Sequence, residues 1–306
     1  MNLFSLAKAF PTEEAAIEYW IQARWPDGVR CLACDHAKVY RIETKGKTGK
    51  PCLLFECADC ELHFSPTTGT LFHDSHLPMQ KWFATIALMV ESKKGISAAQ
   101  VARHIGLTYK TAWYLCHRIR QAMEEDKDLI LGGKTTTVEI DETYIGGRNM
   151  RKGNVRGRDN KTMVLGIAER SGRLHLQTIK SATAVNVKPI LDSKLSPQST
   201  KVVTDGSVLY RGLIPKEQHK VGVHMQEKFT GHLSNQTVEN AFSLFKRGII
   251  GNYHKISTDH LDRYLGEFCW RYNRRKRQSR MFDMALANLG KKQPMPYQVL
   301  IGRDKD

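Results

Sequence analysis

The sequence predicts a multidomain protein of the α/β class, and three observations predict it. The chain has 306 residues, room for about two domains at ~150 residues each and for a buried core without covalent staples. Two C-x2-C pairs lie at 31–34 and 57–60. Near residue 135 the apolar pattern turns from helical spacing to strand alternation. With 41% hydrophobic and 25% charged residues and a mean hydropathy of −0.44, the composition is that of a folded chain rather than a disordered one.

The charge narrows the function class. Lys and Arg total 47 against 31 Asp and Glu, a formal net charge of +16 with a pI near 9.6. A surplus of that size predicts affinity for a polyanion, with nucleic acid the leading candidate and an anionic membrane surface the rival. The longest apolar stretch, Trp82 to Val90, is interrupted by Thr85 and is far short of the ~18 to 20 residues that a span needs. Residues 1–10 carry one lysine and no apolar run closed by small residues. The expectation is therefore a protein of the cytosol, with no membrane partner and with its seven cysteines reduced.

Residues 1–28 read as an N-terminal helical segment. Cys31, Cys34, Cys57 and Cys60 follow as C-x2-C, 22 residues, C-x2-C. Two residues between cysteines form a tight turn that aims both sulfurs at one point, and two such turns on neighbouring hairpins complete the tetrahedral thiolate shell that zinc favours. Val39–Ile42 and Leu53–Glu56 read as the strands between them, joined by a polar, glycine-bearing turn over Glu43–Lys50. This is a zinc-ribbon pattern over 29–76; four unrelated buried thiols or a redox pair are the alternatives. The site is closed, so one structural Zn2+ is expected, required for folding and inert in catalysis. Cys52, Cys116 and Cys269 read as ordinary buried thiols, and His63, His73 and His76 as nearby residues that the metal does not need.

After Pro78, Trp82–Val90 is an apolar helical segment. Ser97 to Leu107 fits the first helix and turn of a helix-turn-helix, with Ser97 as cap, Ala102 small enough for a close crossing and Gly106 at the turn. A second helix opens at Thr108–Thr111 and runs to about Met123, with Ala112, Leu115, Ile119 and Met123 at helical spacing. Its outward face is expected to offer Lys110, Tyr114, His117, Arg118 and Arg120 to phosphates or base edges. The alternative is a plain helical hairpin with a solvated basic face.

Beyond a linker at 126–134, strands are expected at Thr135–Tyr144, Met163–Glu169, Leu174–Ile179, Lys201–Gly206 and Gln218–Met225, and helices at Val185–Leu195 and Asn235–Arg247. This order approximates a ribonuclease-H-like domain. Three carboxylates fit it: Asp141 on the first strand, Asp205 at the end of the fourth, 64 residues on, and Glu239 on the late helix, 34 residues further. Lys246 lies seven residues, or two helical turns, past Glu239 and shares its face. Glu139 and Glu142 flank Asp141 as supporting or solvent-facing acids.

With the four cysteines, Asp141-Glu142-Thr143-Tyr144, Thr204-Asp205-Gly206, the run Asn235 to Arg247 and Arg271-Tyr272-Asn273, the chain resembles bacterial insertion-sequence transposases of the zinc-ribbon DDE type, the ISXO-like group. The resemblance extends over roughly residues 15 to 280. It implies an N-terminal zinc ribbon and helix-turn-helix (77–125), then a ribonuclease-H-like catalytic domain of the DDE or integrase type (135–280) and a C-terminal tail (281–306). It further implies that both aspartates and a third acidic or amide residue bind divalent metal, and that the lysine contacts DNA. Some relatives carry asparagine in the third place, which makes Asn235 and Asn240 alternatives to Glu239. Phosphodiester chemistry of this kind uses two cations ~3.5–4 Å apart, and hard oxygen ligands select Mg2+ or Mn2+. Asp141 would bridge both, with Asp205 and Glu239 holding one each.

Two basic runs complete the pattern. Gly147–Lys161 contains Arg148, Arg151, Lys152, Arg156, Arg158 and Lys161 against one acid, and Arg271–Arg280 contains six basic residues, among them Arg271, Arg274 and Arg275, and none. Solvated runs are the usual reading of such charge; beside a carboxylate site, clamps on DNA phosphates are expected. His224 and His232 are candidates for the neighbourhood of the metals. The implied partners are double-stranded DNA, as element ends and as target, and further copies of the chain, since two ends must be joined. A DNA-binding regulator with an inactive C-terminal domain and a nuclease without strand transfer are the competing functions.

Overall fold

The structure is a computed structural model and describes residues 3–45, 49, 51–125, 128–146, 161–199, 201–222 and 235–303. The chain forms two compact units: residues 1–92, 98–122 and 277–306 make the first, and 93–97 with 123–276 the second. Among the described residues no helix is long and apolar enough to cross a membrane.

The first unit opens with α1 (Leu3–Ala9) and α2 (Glu13–Arg24). Thr12 caps α2 by accepting from the Ala15 N–H at 3.2 Å. The expected ribbon sheet follows: β1 (Val39–Lys45) pairs antiparallel with β2 (Pro51–Cys57), Val39 opposite Cys57, and the short β3 (His63–Phe64) pairs with β2. Next comes α3 (Met79–Glu91), whose preceding Pro78 has no capping oxygen. The carboxylate of Glu13 supplies the cap instead, accepting from the N–H groups of Met79 and Gln80 at 2.6 and 3.1 Å. The pair α4 (Ala98–Ile105) and α5 (Tyr109–Ala122) pack on each other, joined at Gly106, whose φ of +66° the turn requires.

The segment expected as a C-terminal tail is instead part of this core. It forms α9 (Met281–Lys291) and α10 (Tyr297–Leu300), and Met281, Phe282, Ala285, Leu286 and Leu289 are buried. Phe282 packs edge-on against Phe83 at 5.5 Å between ring centres. Its apolar residues at 281, 282, 285, 286 and 289 have the spacing of one helix face, and that face needed a partner.

The second unit is a five-stranded mixed sheet in the order β6-β5-β4-β7-β8. β4 (Thr137–Ile145), β5 (Thr162–Glu169) and β6 (Leu174–Ile179) form an antiparallel meander; β7 (Lys201–Thr204) lies parallel to β4, and β8 (His219–Val221) parallel to β7. The period of two sends alternate side chains to opposite faces. Val138, Ile140, Leu165 and Ile167 meet Val187 and Leu191 of α6 (Ala184–Lys194). On the other face, Ile145, Val164 and Ala168 meet α7 (Gln236–Gly248) and α8 (Leu261–Arg274) through Val238, Phe242, Phe245 and Phe268. Helices on both faces explain why β5 is continuously apolar from Met163 to Ala168 rather than alternating.

Candidate active site

In the first unit the four cysteine sulfurs lie within 4.8 Å of one another. Cys31 and Cys60, Cys34 and Cys57, and Cys34 and Cys60 each stand 3.5 Å apart. Four sulfurs held at 2.3 Å around a tetrahedral centre would stand about 3.8 Å apart, so the cage fits zinc with little adjustment. Each knuckle is shaped by its own backbone: Ala33 N–H points at the Cys31 sulfur and Asp59 N–H at that of Cys57, both at 3.4 Å. Cys116 and Cys269 are buried and Cys52 half-buried, and none of the three is among the four clustered sulfurs.

In the second unit, Asp141 is set on β4 directly opposite Gly166 of β5. A Cβ at Gly166 would stand 2.7 Å from Phe242 and from Val238. The absence of a side chain there lets α7 close onto the sheet beside Asp141. β4 and β7 run parallel with Val138 beside Val202 and Glu139 beside Val203. Carried two residues further, this register brings Asp205 level with Asp141. Asp205 holds its loop through an Oδ1 that accepts from Ser207 N–H at 3.1 Å. Glu239 lies in the first turn of α7, exposed to solvent, and Lys246, two turns on, donates to Thr143 Oγ1 at 2.6 Å.

The electrostatics tie these groups together. Asp141 is pushed up to about 7, first by burial and then by the charges of Glu142, Asp205 and Glu239, against the opposing N–H of Glu142. Burial is also the main cause that lowers Lys246; Lys161 adds to it and Asp141 opposes it. Glu142 projects to the opposite face, where the buried Tyr210 hydroxyl donates to it at 2.5 Å. Burial raises Glu142, the Tyr210 hydrogen bond lowers it, and the Asp205 charge raises it again. Such crowding of like charge is what a divalent cation relieves, and oxygen donors suit Mg2+ or Mn2+. The carboxylates are a looser group than the sulfurs: among the described residues only the four cysteines gather their donor atoms within 4.8 Å.

Glu139 is the residue that the sequence reading undervalued. It is fully buried on the Asp141 face and accepts from Thr237 N–H at 2.6 Å, Thr237 Oγ1 at 2.9 Å, Val238 N–H at 3.2 Å and Arg170 Nε at 3.0 Å. A partial signal was present: an acid two residues from Asp141 on the same strand shares its face. Of the alternatives to Glu239, Asn235 is buried at the start of α7 with its amide 3.4 Å from the Ile140 carbonyl, and Asn240 is exposed.

Several residues expected to face DNA are turned inward. Arg118 is buried, donates to the His73 carbonyl at 2.5 Å, and lies over the rings of Trp82 and Tyr114. His117 and Arg120 are buried as well. The outward face was assigned as though α5 packed only on α4; α3 and α9 also pack on it and cover that side. Tyr114 is half-buried and donates to the Met295 carbonyl at 2.5 Å. Lys110 stays exposed, its Nζ 4.9 Å from the centre of the Tyr297 ring.

The first half of the second basic run is likewise taken up by the fold, while Lys276, Arg277 and Arg280 stay exposed. Arg271 pairs with Glu267 in the core, Arg274 binds Glu125 at 2.6 Å, and Arg275 binds the Gly172 carbonyl at 3.0 Å and stacks on Tyr272. Arg148, Arg151, Lys152, Arg156 and Arg158 of the first run, with His224 and His232, lie outside the described residues.

Comparison with known proteins agrees with this division of the chain. Residues 11–63 match the transposase zinc-ribbon domain and residues 130–273 the ISXO2-like transposase domain. An uncharacterized protein in transposable element ISH50 of Halobacterium salinarum is 28% identical over an alignment of 279 residues that covers 85% of this chain and 91% of that protein. A crystal structure of a pre-cleavage Mos1 transpososome aligns with 68% of this chain and 78% of that one at 9% identity, with a TM-score of 0.22, too low for a shared fold to follow. With both domain matches in one chain and a transposable-element protein similar along most of its length, the chain carries the two domains of an IS1595-type transposase.

Proposed function

We propose that the protein is a DDE-type DNA transposase that binds the ends of its element and carries out metal-dependent phosphodiester cleavage and strand transfer. The observation that carries this reading is the parallel register of β4 and β7, which, carried two residues on, sets Asp205 just past the end of β7 level with Asp141, whose carboxyl the charges of Asp205 and Glu239 raise, with Glu239 and Lys246 on the helix alongside. The sheet order, an antiparallel meander extended by two parallel strands, and the placement of α6 and α7 on opposite faces support a ribonuclease-H-like catalytic domain.

Asp141, Asp205 and Glu239 would hold Mg2+ or Mn2+, with Asn235 in reserve for the third place. Divalent cations bound there activate the attacking oxygen and stabilise the leaving one. The charge of Lys246, held beside the strand by Thr143, would meet a DNA phosphate next to the carboxylates. In the first reaction water attacks phosphorus at the element's end, the P–O3′ bond breaks, and a 3′-OH is left with a 5′-phosphate on the other side. In the second, that 3′-OH loses its proton to solvent and attacks a target phosphate, whose own 3′ oxygen leaves. No protein–DNA covalent bond forms.

Zinc at Cys31, Cys34, Cys57 and Cys60 would be structural. α4 and α5 would act as a helix-turn-helix whose contact with DNA is made by the exposed Tyr109 and Lys110 at the start of α5. The joining of two ends calls for a homo-oligomer. The experiment is a reaction of purified protein, Mg2+ and labelled DNA ending in the element's inverted repeats. Joined product is expected. Cleavage without joining would make it a nuclease, and binding without either a regulator; joining at the wild-type rate by Asp205→Ala would overturn the site assignment.

A further inference from the structure

α7 runs along one face of β4 and is fastened to it at two points. At its start, Glu139 accepts from Thr237 N–H, Thr237 Oγ1 and Val238 N–H; near its end, Lys246 donates to Thr143. The two fastenings are in register. Four strand residues from Glu139 to Thr143 span about 13 Å at ~3.3 Å each, and nine helical residues from Thr237 to Lys246 span about 13 Å at 1.5 Å each. Asp141 lies midway along this strand segment on the same face. Gly166, its neighbour on β5, leaves room for Val238 and Phe242 to come down.

The stronger of the fastenings is the one nearer Glu239. Thr237 and Val238, which donate to Glu139, immediately precede it in the chain. A carboxylate accepting two N–H groups of a helix's first turn holds that turn by charge-assisted bonds and by the helix dipole. Arg170 Nε, at 3.0 Å, neutralises the buried charge from the other side. Glu239 itself is exposed and would otherwise follow any fraying of the helix start.

We propose that Glu139 is the positioning residue of the carboxylate site: by holding the first turn of α7 on β4, it sets where Glu239 stands relative to Asp141 and so the affinity of the site for divalent metal. The inference rests on the proposed transposase site and adds to it a residue outside the DDE trio.

The test uses full-length, zinc-loaded protein and Mn2+ binding followed by the electron paramagnetic resonance of free Mn2+, alongside thermal unfolding. Glu139→Ala should weaken Mn2+ binding by about tenfold or more, the usual effect of losing a residue that orients a ligand. Glu139→Gln can keep Oε2 as acceptor for the helix N–H groups but replaces Oε1, which accepts from both the Thr237 hydroxyl and Arg170, and should weaken binding by about threefold or more. Arg170→Met removes the neutralising partner without touching α7; it should lower the melting temperature and leave Mn2+ affinity within about twofold. Wild-type Mn2+ affinity in folded Glu139→Gln would overturn the inference. So would affinity that tracks melting temperature across all three variants, since that is what a merely structural role produces. Asp141→Asn and Asp205→Asn separate the two levels: if both bind Mn2+ like the wild type, the proposed site fails; if both lose it while Glu139 variants do not, only the positioning role fails.

Discussion

Lys246 donates to Thr143 Oγ1 at 2.6 Å, so the cation two turns past Glu239 is held against the strand that carries Asp141. The bond explains how a flexible side chain on a helix can be presented beside the carboxylates in a fixed orientation.

It also separates charge from placement. Lys246→Met, which removes the cation, should reduce joining of labelled ends by about a hundredfold. Thr143→Val, which removes only the acceptor, should cost about threefold to tenfold, as for a positioning bond. Equal losses in the two variants, measured at saturating Mg2+, would mean that the cation itself makes no contact with DNA.

The cysteine cage predicts a metal-dependent fold in the first unit. Zinc in such cages contributes about 10–16 kcal/mol of folding free energy. Extraction of zinc by a chelator, or Cys34→Ser, should abolish the β1–β2 hairpin, seen as loss of its amide protection in hydrogen exchange. One zinc per chain by elemental analysis is expected, unchanged in Asp141→Asn. Unaltered protection of Val39–Lys45 after zinc removal would contradict the assignment.

The inward-turned arginines predict a split between stability and DNA affinity. Arg271→Met leaves the fully buried Glu267 without its ion-pair partner and should cost about 3–5 kcal/mol in unfolding free energy. Its DNA binding should keep the wild-type salt slope. Lys110→Ala, at an exposed position, should leave stability unchanged and reduce the slope of log K against log salt by about 0.9, one phosphate contact. The reverse pattern in chemical denaturation and salt titrations would return Arg271 to the DNA surface.

Asp141 predicts how the magnesium-free, zinc-loaded protein responds to pH. Its carboxyl is raised from 3.8 to about 7, so the fold favours the neutral form. That contribution is fully present below about pH 4 and is lost as pH rises through about 7. Asp141→Asn stays neutral throughout, and should therefore melt above the wild type at pH 8 by about 2–4 °C, the shift that about 1 kcal/mol gives in a protein of this size. Added Mg2+ should close the gap by stabilising the wild type alone.

Much of this was legible in the residues themselves, for local reasons. The C-x2-C pairs appear as a cage because two-residue turns leave their sulfurs few directions. The Leu174–Ile179 strand has the bounds that its apolar pattern suggests, and the strand that begins at Lys201 ends at Thr204, two residues short of the expected Gly206. The 64 residues between Asp141 and Asp205 turn out to equal the offset of the β4–β7 register, which runs from Thr137 beside Lys201 to Glu139 beside Val203. Gly106 takes the positive φ that its place between two helices requires.

What could not be read in advance concerns which of two faces an element turns to a partner far away in the chain. Arg118 and Arg271 look like solvated cations because a charge on a helix usually is one. Helix α9, whose first residue lies more than 160 positions after Arg118, helps to enclose α5, and Glu267 takes up Arg271 inside the core. The same applies to Glu139: its spacing puts it on the Asp141 face, but its partners come from the first turn of α7, almost 100 residues later in the chain. Composition, periodicity and motif spacing pointed to the zinc ribbon and its cysteine cluster and to the 64-residue offset of the two aspartates, because each depends on neighbours in sequence or on one strand register. The allocation of charge between DNA-facing surface and internal ion pair belonged to the tertiary structure. A burial decision is settled by long-range packing, and desolvating a cation is tolerated only where that packing brings it a partner.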